Sequence, residues 1–214
     1  RELWDHFRVS TVEDLERICQ EQKLRGLPRM GAKLEEKILA SIAEYRQRAG
    51  RYLLSFAMEV ADEVSEFLKA QEGVEQVTPA GSLRRGRETV GDLDIVVTGP
   101  GAPKALELFA KKPRVREVLG QGPNKTSVRY GPEMIQIDLR GLDSDSYGAA
   151  LQYFTGSKHH SVALRNRAVR MGLTLNEYGL VEVESGKGVA GRTEEEVYEA
   201  LGLKWIPPEL RENW

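Results

Sequence analysis

The stretch Gly91-Asp92-Leu93-Asp94-Ile95-Val96-Val97 constrains the fold of this chain more than any other. Asp92 to Val97 is rich in β-branched residues and is bounded by Gly91 and by Gly99-Pro100-Gly101, which predicts a strand. Side chains alternate along a strand, so Asp92 and Asp94 share one face while Leu93, Ile95 and Val97 take the other. The apolar second face argues for a buried central strand rather than a solvated turn. Two carboxylates on one face repel each other and raise each other's pKa unless a cation lies between them. A second alternating run, Glu133 to Arg140, puts Ile135, Ile137 and Leu139 on one face and Gln136, Asp138 and Arg140 on the other. Paired beside the first strand, it adds Asp138 to the acidic face; on an edge, it leaves Asp138 an exposed charge. Three carboxylates on adjacent strands offer the hard oxygen ligands that Mg²⁺ or Mn²⁺ takes. Such a set can hold two ions in an in-line phosphoryl displacement.

Just upstream, Gly81-Ser82-Leu83-Arg84-Arg85-Gly86 supplies the chemistry of a phosphate cradle. Gly81 permits a tight turn, and Ser82 opens a short helical turn with backbone N–H groups and a hydroxyl. Arg85 adds a planar, permanently charged fork suited to oxyanions. Arg84 and Arg87 read instead as solvated or paired arginines.

In order along the chain, Gly81-Ser82-x-Arg84-Arg85-Gly86, Gly91-Asp92-x-Asp94, Ile137-Asp138, Tyr153-Phe154-Thr155-Gly156 and Asn176-Glu177-Tyr178 resemble the motifs of the family X DNA polymerases. This is the group that contains DNA polymerase beta. The similarity runs from about Arg51 to the C-terminus and continues more weakly to the first residues. Its Gly-Ser and Asp-x-Asp parts are shared with the wider nucleotidyltransferases, whereas the Tyr-Phe-Thr-Gly and Asn-Glu-Tyr motifs are more specific. Ser157-Lys158-His159-His160 and Ile206-Pro207-Pro208-Glu209-Leu210 are most similar to the bacterial members.

The resemblance implies a DNA-directed DNA polymerase that adds a deoxynucleotide to a primer 3′-hydroxyl in short-gap repair synthesis. It implies two Mg²⁺ (or Mn²⁺) ions held by Asp92, Asp94 and Asp138, with Asp138 nearest the primer terminus and acting as proton acceptor. Arg51, Gly81, Ser82, Arg85 and Gly91 map onto triphosphate contacts. Tyr153, Phe154, Gly156 and Ser161 map onto the sugar and base, with Tyr153 as a gate against a ribose 2′-hydroxyl. Arg165, Asn176, Glu177 and Tyr178 correspond to residues that touch template or lock the closed thumb, and Arg140 to a partner in that switch. The chain departs from the best-known relatives at three positions: Gln136 replaces an arginine, Ser161 an asparagine and Lys158 an acid. Looser nucleotide selection is expected from these changes.

The fold class expected is α+β in three parts. Residues 1–50 read as helical, with periodicity at Val12 to Gln20 and Leu34 to Arg48 and Ser10 or Thr11 as N-cap. Between the helices, Leu27-Pro28-Arg29-Met30-Gly31 resembles a helix-hairpin-helix turn with Arg29 where glycine is usual; Gly31 and Lys33 are its candidate DNA donors. Residues 51–143 read as a mixed-sheet palm: a helix at Leu53 to Ala70, strands at Glu75 to Pro79 and Asp92 to Val97, and a helix at Pro103 to Lys111. Strands at Arg114 to Leu119, Lys125 to Tyr130 and Glu133 to Arg140 complete it. Residues 144–214 form a small thumb-like α/β part, with helices at Ser146 to Phe154, Lys158 to Met171 and behind Thr193, and a strand pair around Leu173 to Val183.

Forty per cent hydrophobic and 30% charged residues describe a soluble globular chain. A net charge of −2 means that any DNA binding comes from local basic patches and metals. The single Cys19 excludes an internal disulfide and suits a cytoplasmic setting. A monomer acting on gapped or primed DNA is expected. The N-terminal lyase-type and C-terminal metallophosphoesterase (PHP) domains usual in such relatives are expected to lie outside these residues in the full-length protein, so neither lyase nor nuclease activity is expected of this chain. Two other readings share part of the pattern: a small-molecule or RNA-end nucleotidyltransferase, and a non-catalytic DNA-binding fragment.

Overall fold

The computed structural model describes residues 2–28 and 30–212, so Arg29 of the expected hairpin lies outside the described residues. The chain divides into two compact units, Arg1–Arg51 and Tyr52–Trp214.

The first unit is helical, with α1 (Glu2–Phe7), α2 (Val12–Gln20), a single 3₁₀ turn at Leu24–Gly26, and α3 (Ala32–Ala49). Thr11 rather than Ser10 caps α2: its hydroxyl accepts the Asp14 N–H at 3.1 Å, and the Asp14 carboxylate accepts the Thr11 N–H at 3.3 Å. That reciprocal pairing satisfies two otherwise orphaned donors. Ile18, Cys19 and Leu24 form the core, with Leu15, Met30, Ile38 and Leu39 packed against them. The buried Glu35 carboxylate receives the Arg25 backbone N–H at 3.1 Å and Arg25 Nε at 2.8 Å, fastening the 3₁₀ turn to α3.

The second unit opens with β1 (Tyr52–Leu53) and α4 (Leu54–Lys69), then β2 (Gln76–Pro79), α5 (Gly81–Arg84), β3 (Thr89–Val90), β4 (Asp92–Thr98) and α6 (Ala102–Ala110). Then come β5 (Val115–Gly122), β6 (Lys125–Tyr130), β7 (Ile135–Leu142), α7 (Tyr147–Thr155), α8 (Lys158–Arg170), β8 (Leu173–Asn176), β9 (Gly179–Glu182), β10 (Gly188–Ala190) and α9 (Glu194–Ala200). The main sheet has the order β2-β4-β7-β6-β5, with β4 and β7 parallel and the other pairs antiparallel. A parallel pair needs a crossover, which α6 and the β5–β6 hairpin provide.

The two faces of β4 divide as the alternation predicts. Leu93, Ile95 and Val97 are fully buried with Ala57, Val60, Val64 and Leu68 of α4 and Leu106 and Phe109 of α6. Val96, on the acidic face, is covered by Ala150 and Leu151 of α7. α7 therefore closes one end of that face and leaves Asp92 exposed and Asp94 half-buried at the other. A separate sheet, β10-β9-β8, packs with α7, α8 and α9 around Leu164, Leu175, Leu180, Val197 and Tyr198. Elements beyond the expected set include α1, β10 and the short β1–β3 pair, which joins Tyr52 to Val90 just ahead of the acidic strand. The architecture is α+β. Among the described residues no helix is long and apolar enough to cross a membrane.

Candidate active site

The sheet register assembles the acidic face. Asp94 pairs with Asp138 across the parallel β4–β7 ladder, and Asp92 pairs with Gln136. Asp138 is 8% exposed, and its two oxygens are held separately: Ser127, its cross-strand partner on β6, donates to Oδ1, and Gln136 Nε2 donates to Oδ2 at 2.8 Å. Ser127 carries no local sequence signal, whereas Gln136, where relatives have an arginine, already implies a changed environment for Asp138.

Asp94 carries the strain of the cluster. Burial, then the charges of Asp92 and Asp138, push its carboxyl up to about 7, against the opposing pull of Arg140 and Arg85. It lies close against the backbone of α5. Gly81 has φ +59°, and a Cβ there would fall 2.6 Å from Asp94 Oδ2. Glycine is thus required twice, by conformation and by space.

Beside the acids lies an open cavity of about 330 Å³. Gly81, Ser82, Arg85, Asp92 and Asp94 form its sheet side; Tyr153, Phe154, Gly156 and Ser161 form its α7–α8 side. Tyr153 and Phe154 meet edge to face with centroids 5.1 Å apart, and the Arg140 guanidinium lies 5.0 Å from the Phe154 ring centroid. Ser161 is 7% exposed, and its hydroxyl has no hydrogen-bond partner among the described residues. A buried orphan hydroxyl costs free energy unless something else pairs with it, and this one lines the cavity. Lys158 and Arg165, both exposed, add positive charge to the rim.

Two arginines of α5 and its cap behave differently. Arg84 does not face the cavity as a ligand: it donates to Thr155 Oγ1 at 2.7 Å and to both oxygens of Glu194 at 2.8 and 2.9 Å. Arg85 lines the cavity while giving Nη1 to the Thr155 carbonyl at 2.6 Å and Nε to Glu212 at 2.9 Å. Glu194 and Glu212 lie far downstream, so no local spacing announces them.

The donor chemistry of Asp92, Asp94 and Asp138 suits hard divalent cations. Among the described residues no group of three acidic, His or Cys side chains stands arranged to hold a metal. The two oxygens of Asp138 are engaged by Ser127 and Gln136.

A family model for the DNA polymerase beta thumb matches residues 150–212. Over 99% of its length the chain is 34% identical to the DNA polymerase/3′-5′ exonuclease PolX of Bacillus subtilis, covering 37% of that protein. Over nearly its whole length the chain is thus similar to family X DNA polymerases of the bacterial type. It is also 24% identical to DNA polymerase lambda of Rattus norvegicus, over 99% of the chain and 39% of that protein. It therefore spans less than two-fifths of the length of these two relatives. Among solved family X structures, polymerase beta of Leishmania infantum in a ternary P/T complex shares its fold, with a TM-score of 0.65 at 21% identity. That match covers 98% of this chain and 91% of the other.

The expected site residues fall into two groups. Asp92, Asp94, Gly81, Ser82, Arg85, Tyr153, Phe154, Gly156 and Ser161 line one cavity, Arg165 joins them, and Asp138 stands beside them in the sheet. Gly91 sits between β3 and β4 at the start of the acidic strand. The rest lie elsewhere. Asn176 Oδ1 accepts the N–H groups of Tyr178 and Gly179 at 2.9 and 3.2 Å, shaping the β8–β9 turn, and Tyr178 is 62% exposed there. Gly31 and Lys33 are exposed at the start of α3, and Arg51 is exposed at the end of the first unit.

Proposed function

We propose that this chain is the catalytic core of a DNA-directed DNA polymerase, adding deoxynucleotides to a primer 3′-hydroxyl in short-gap repair synthesis. The observation that carries the reading is the Asp94–Asp138 register, with Asp92 beside it, opening onto a cavity that holds a phosphate-type cradle on one wall and an aromatic pair on the other. In this reading residues 51–143 serve as palm and 144–214 as a thumb-like part.

Ser82 and Arg85 bind the triphosphate, with Arg51 and the Gly91 backbone as further contacts. Tyr153 and Phe154 form a wall for sugar and base, and Gly156 lets backbone approach it. The unpaired Ser161 hydroxyl meets the base edge, and Arg165 the template. Asn176 and Tyr178 act at the template side, and Gly31 and Lys33 offer backbone and charge to a DNA phosphate. Asp92, Asp94 and Asp138 would hold two Mg²⁺ or Mn²⁺ ions, which when bound lower the pKa of a hydroxyl and neutralise a leaving pyrophosphate. Asp138 receives the proton of the 3′-hydroxyl. Ser127 and Gln136 keep its carboxylate oriented until then, and the cost of gathering three like charges is met by the cations and by Arg85 and Arg140. Most of the rate comes from positioning and electrostatics.

Primer extension on gapped and on open template DNA, with Mg²⁺ or Mn²⁺, tests this. Template-directed incorporation is expected, and Asp138→Ala should abolish it while triphosphate binding largely survives. Extension at an undiminished rate by Asp138→Ala, or incorporation indifferent to template, would refute the assignment.

A further inference from the structure

Arg85 faces two ways. On the cavity side its charge acts on Asp94. On the other side Nε donates to Glu212 Oε1 at 2.9 Å, and both side chains are mostly buried, at 14% and 15% exposed. The same Glu212 oxygen lies 3.8 Å from Arg87, which is 47% exposed. Arg85, Arg87 and Glu212 also line a second cavity of about 560 Å³, so Arg85 is a wall between two spaces. Glu212 thus presents to the guanidinium the chemistry a phosphate oxygen would present: an anionic acceptor on a planar donor fork.

We propose that Glu212 is an internal competitor for Arg85, a positioning residue that sets the affinity for the nucleoside triphosphate. This rests on the reading of the first cavity as a triphosphate site. With Glu212 in place, part of the Arg85 charge is neutralised before the ligand arrives, and the carboxylate itself repels the incoming polyanion. Both effects act in the same direction, and partial burial keeps them from being screened away. Arg87 is the landing place: a small shift of the Glu212 carboxylate towards it frees Arg85 without leaving an unpaired anion in a half-buried position.

The two side chains therefore have opposite signatures. Glu212→Gln keeps the shape and an acceptor but removes the charge, so triphosphate binds ~3–10-fold more tightly, KM falls by a similar factor and kcat is little changed. Arg87→Ala strands Glu212 on Arg85 and raises KM by about the same factor. A purely structural role would shift both variants the same way.

The experiment is equilibrium binding of a non-hydrolysable deoxynucleoside triphosphate analogue with Mg²⁺ to the whole chain, followed by steady-state extension. Opposite shifts for the two variants support the proposal. Wild-type binding that Glu212→Gln merely equals or weakens overturns it, and an unchanged Arg87→Ala overturns the landing role of Arg87. A wild-type chain that binds no triphosphate overturns the proposed function itself, which is a distinguishable result.

Discussion

Glu194 offers the sharpest quantitative test of how the cavity is held. Its carboxylate, 4% exposed, receives paired hydrogen bonds from Arg84 at 2.8 and 2.9 Å and from Arg211 at 2.6 and 2.9 Å, and the Trp205 indole N–H at 2.9 Å. Burial pushes its carboxyl up, but the hydrogen bonds and charges of Arg211 and Arg84 outweigh that and hold it at about 2. A fall from 4.5 to about 2 corresponds to roughly 3 kcal/mol of preference for the ionised form in the fold. Removing the carboxylate also strands Arg211, which is fully buried; breaking such a pair from one side costs ~3–5 kcal/mol. The two routes agree, so Glu194→Gln should destabilise the second unit by about 3 kcal/mol. The assay is urea unfolding followed by far-ultraviolet dichroism and by the fluorescence of Trp205, with a lower midpoint and an unchanged m-value expected. Replacing Arg84, Glu194 and Arg211 together by apolar residues of similar volume should recover most of the loss. A Glu194→Gln unfolding free energy within about 0.5 kcal/mol of wild type would show that the triad is not what secures α5 to α9.

Acid should loosen the same region. His160 is buried with Nε2 2.7 Å from the Tyr198 hydroxyl, and burial followed by the Arg211 charge lowers its pKa to about 4. The unfolded chain then binds the proton more readily, so stability falls as pH drops from 6.5 through 4, by up to about 3 kcal/mol. The Glu194 contribution is full above 4.5 and is lost as pH falls towards 2. Thermal midpoints measured against pH should show both limbs, and His160→Gln should flatten the first. Gly81→Ala should place a methyl against the Asp94 carboxylate and lower extension by at least ~10-fold, while costing only about 1–3 kcal/mol of stability; unaltered kinetics would contradict the close approach. Ser161→Ala removes an unpaired buried hydroxyl, so stability should hold or rise by up to about 1 kcal/mol while mismatch-incorporation ratios change.

The elements that sequence reasoning recovered are those whose signal is local. The alternation through Asp92–Val97 and Ile135–Arg140 revealed which residues share a face, and their flanking glycines bounded them. The Thr193 side chain caps α9 as expected, accepting the Glu196 N–H at 3.1 Å. β10 escaped notice because Gly188-Val189-Ala190 is too short to show a period and pairs through an irregular register. Asn176 illustrates a different limit. A side chain that resembles a template contact also makes the two hydrogen bonds that close a hairpin, and the second role is set by local backbone geometry alone.

The site divides along the same line. The acids and the cradle are encoded by spacing, but what conditions them is not. Asp138 is held by Ser127 and Gln136, two neutral donors, so its negative charge is oriented without being cancelled. The cluster consequently keeps much of its repulsion, which adds to burial in driving Asp94 up to about 7 against the pull of Arg140 and Arg85. An arginine in place of Gln136 would relieve that repulsion permanently. A neutral amide leaves it in force, to be relieved only when cations arrive. The departure at Gln136 therefore acts on the electrostatics of all three carboxylates at once, and Gln136→Arg should weaken divalent-cation binding even though no candidate ligand has been changed.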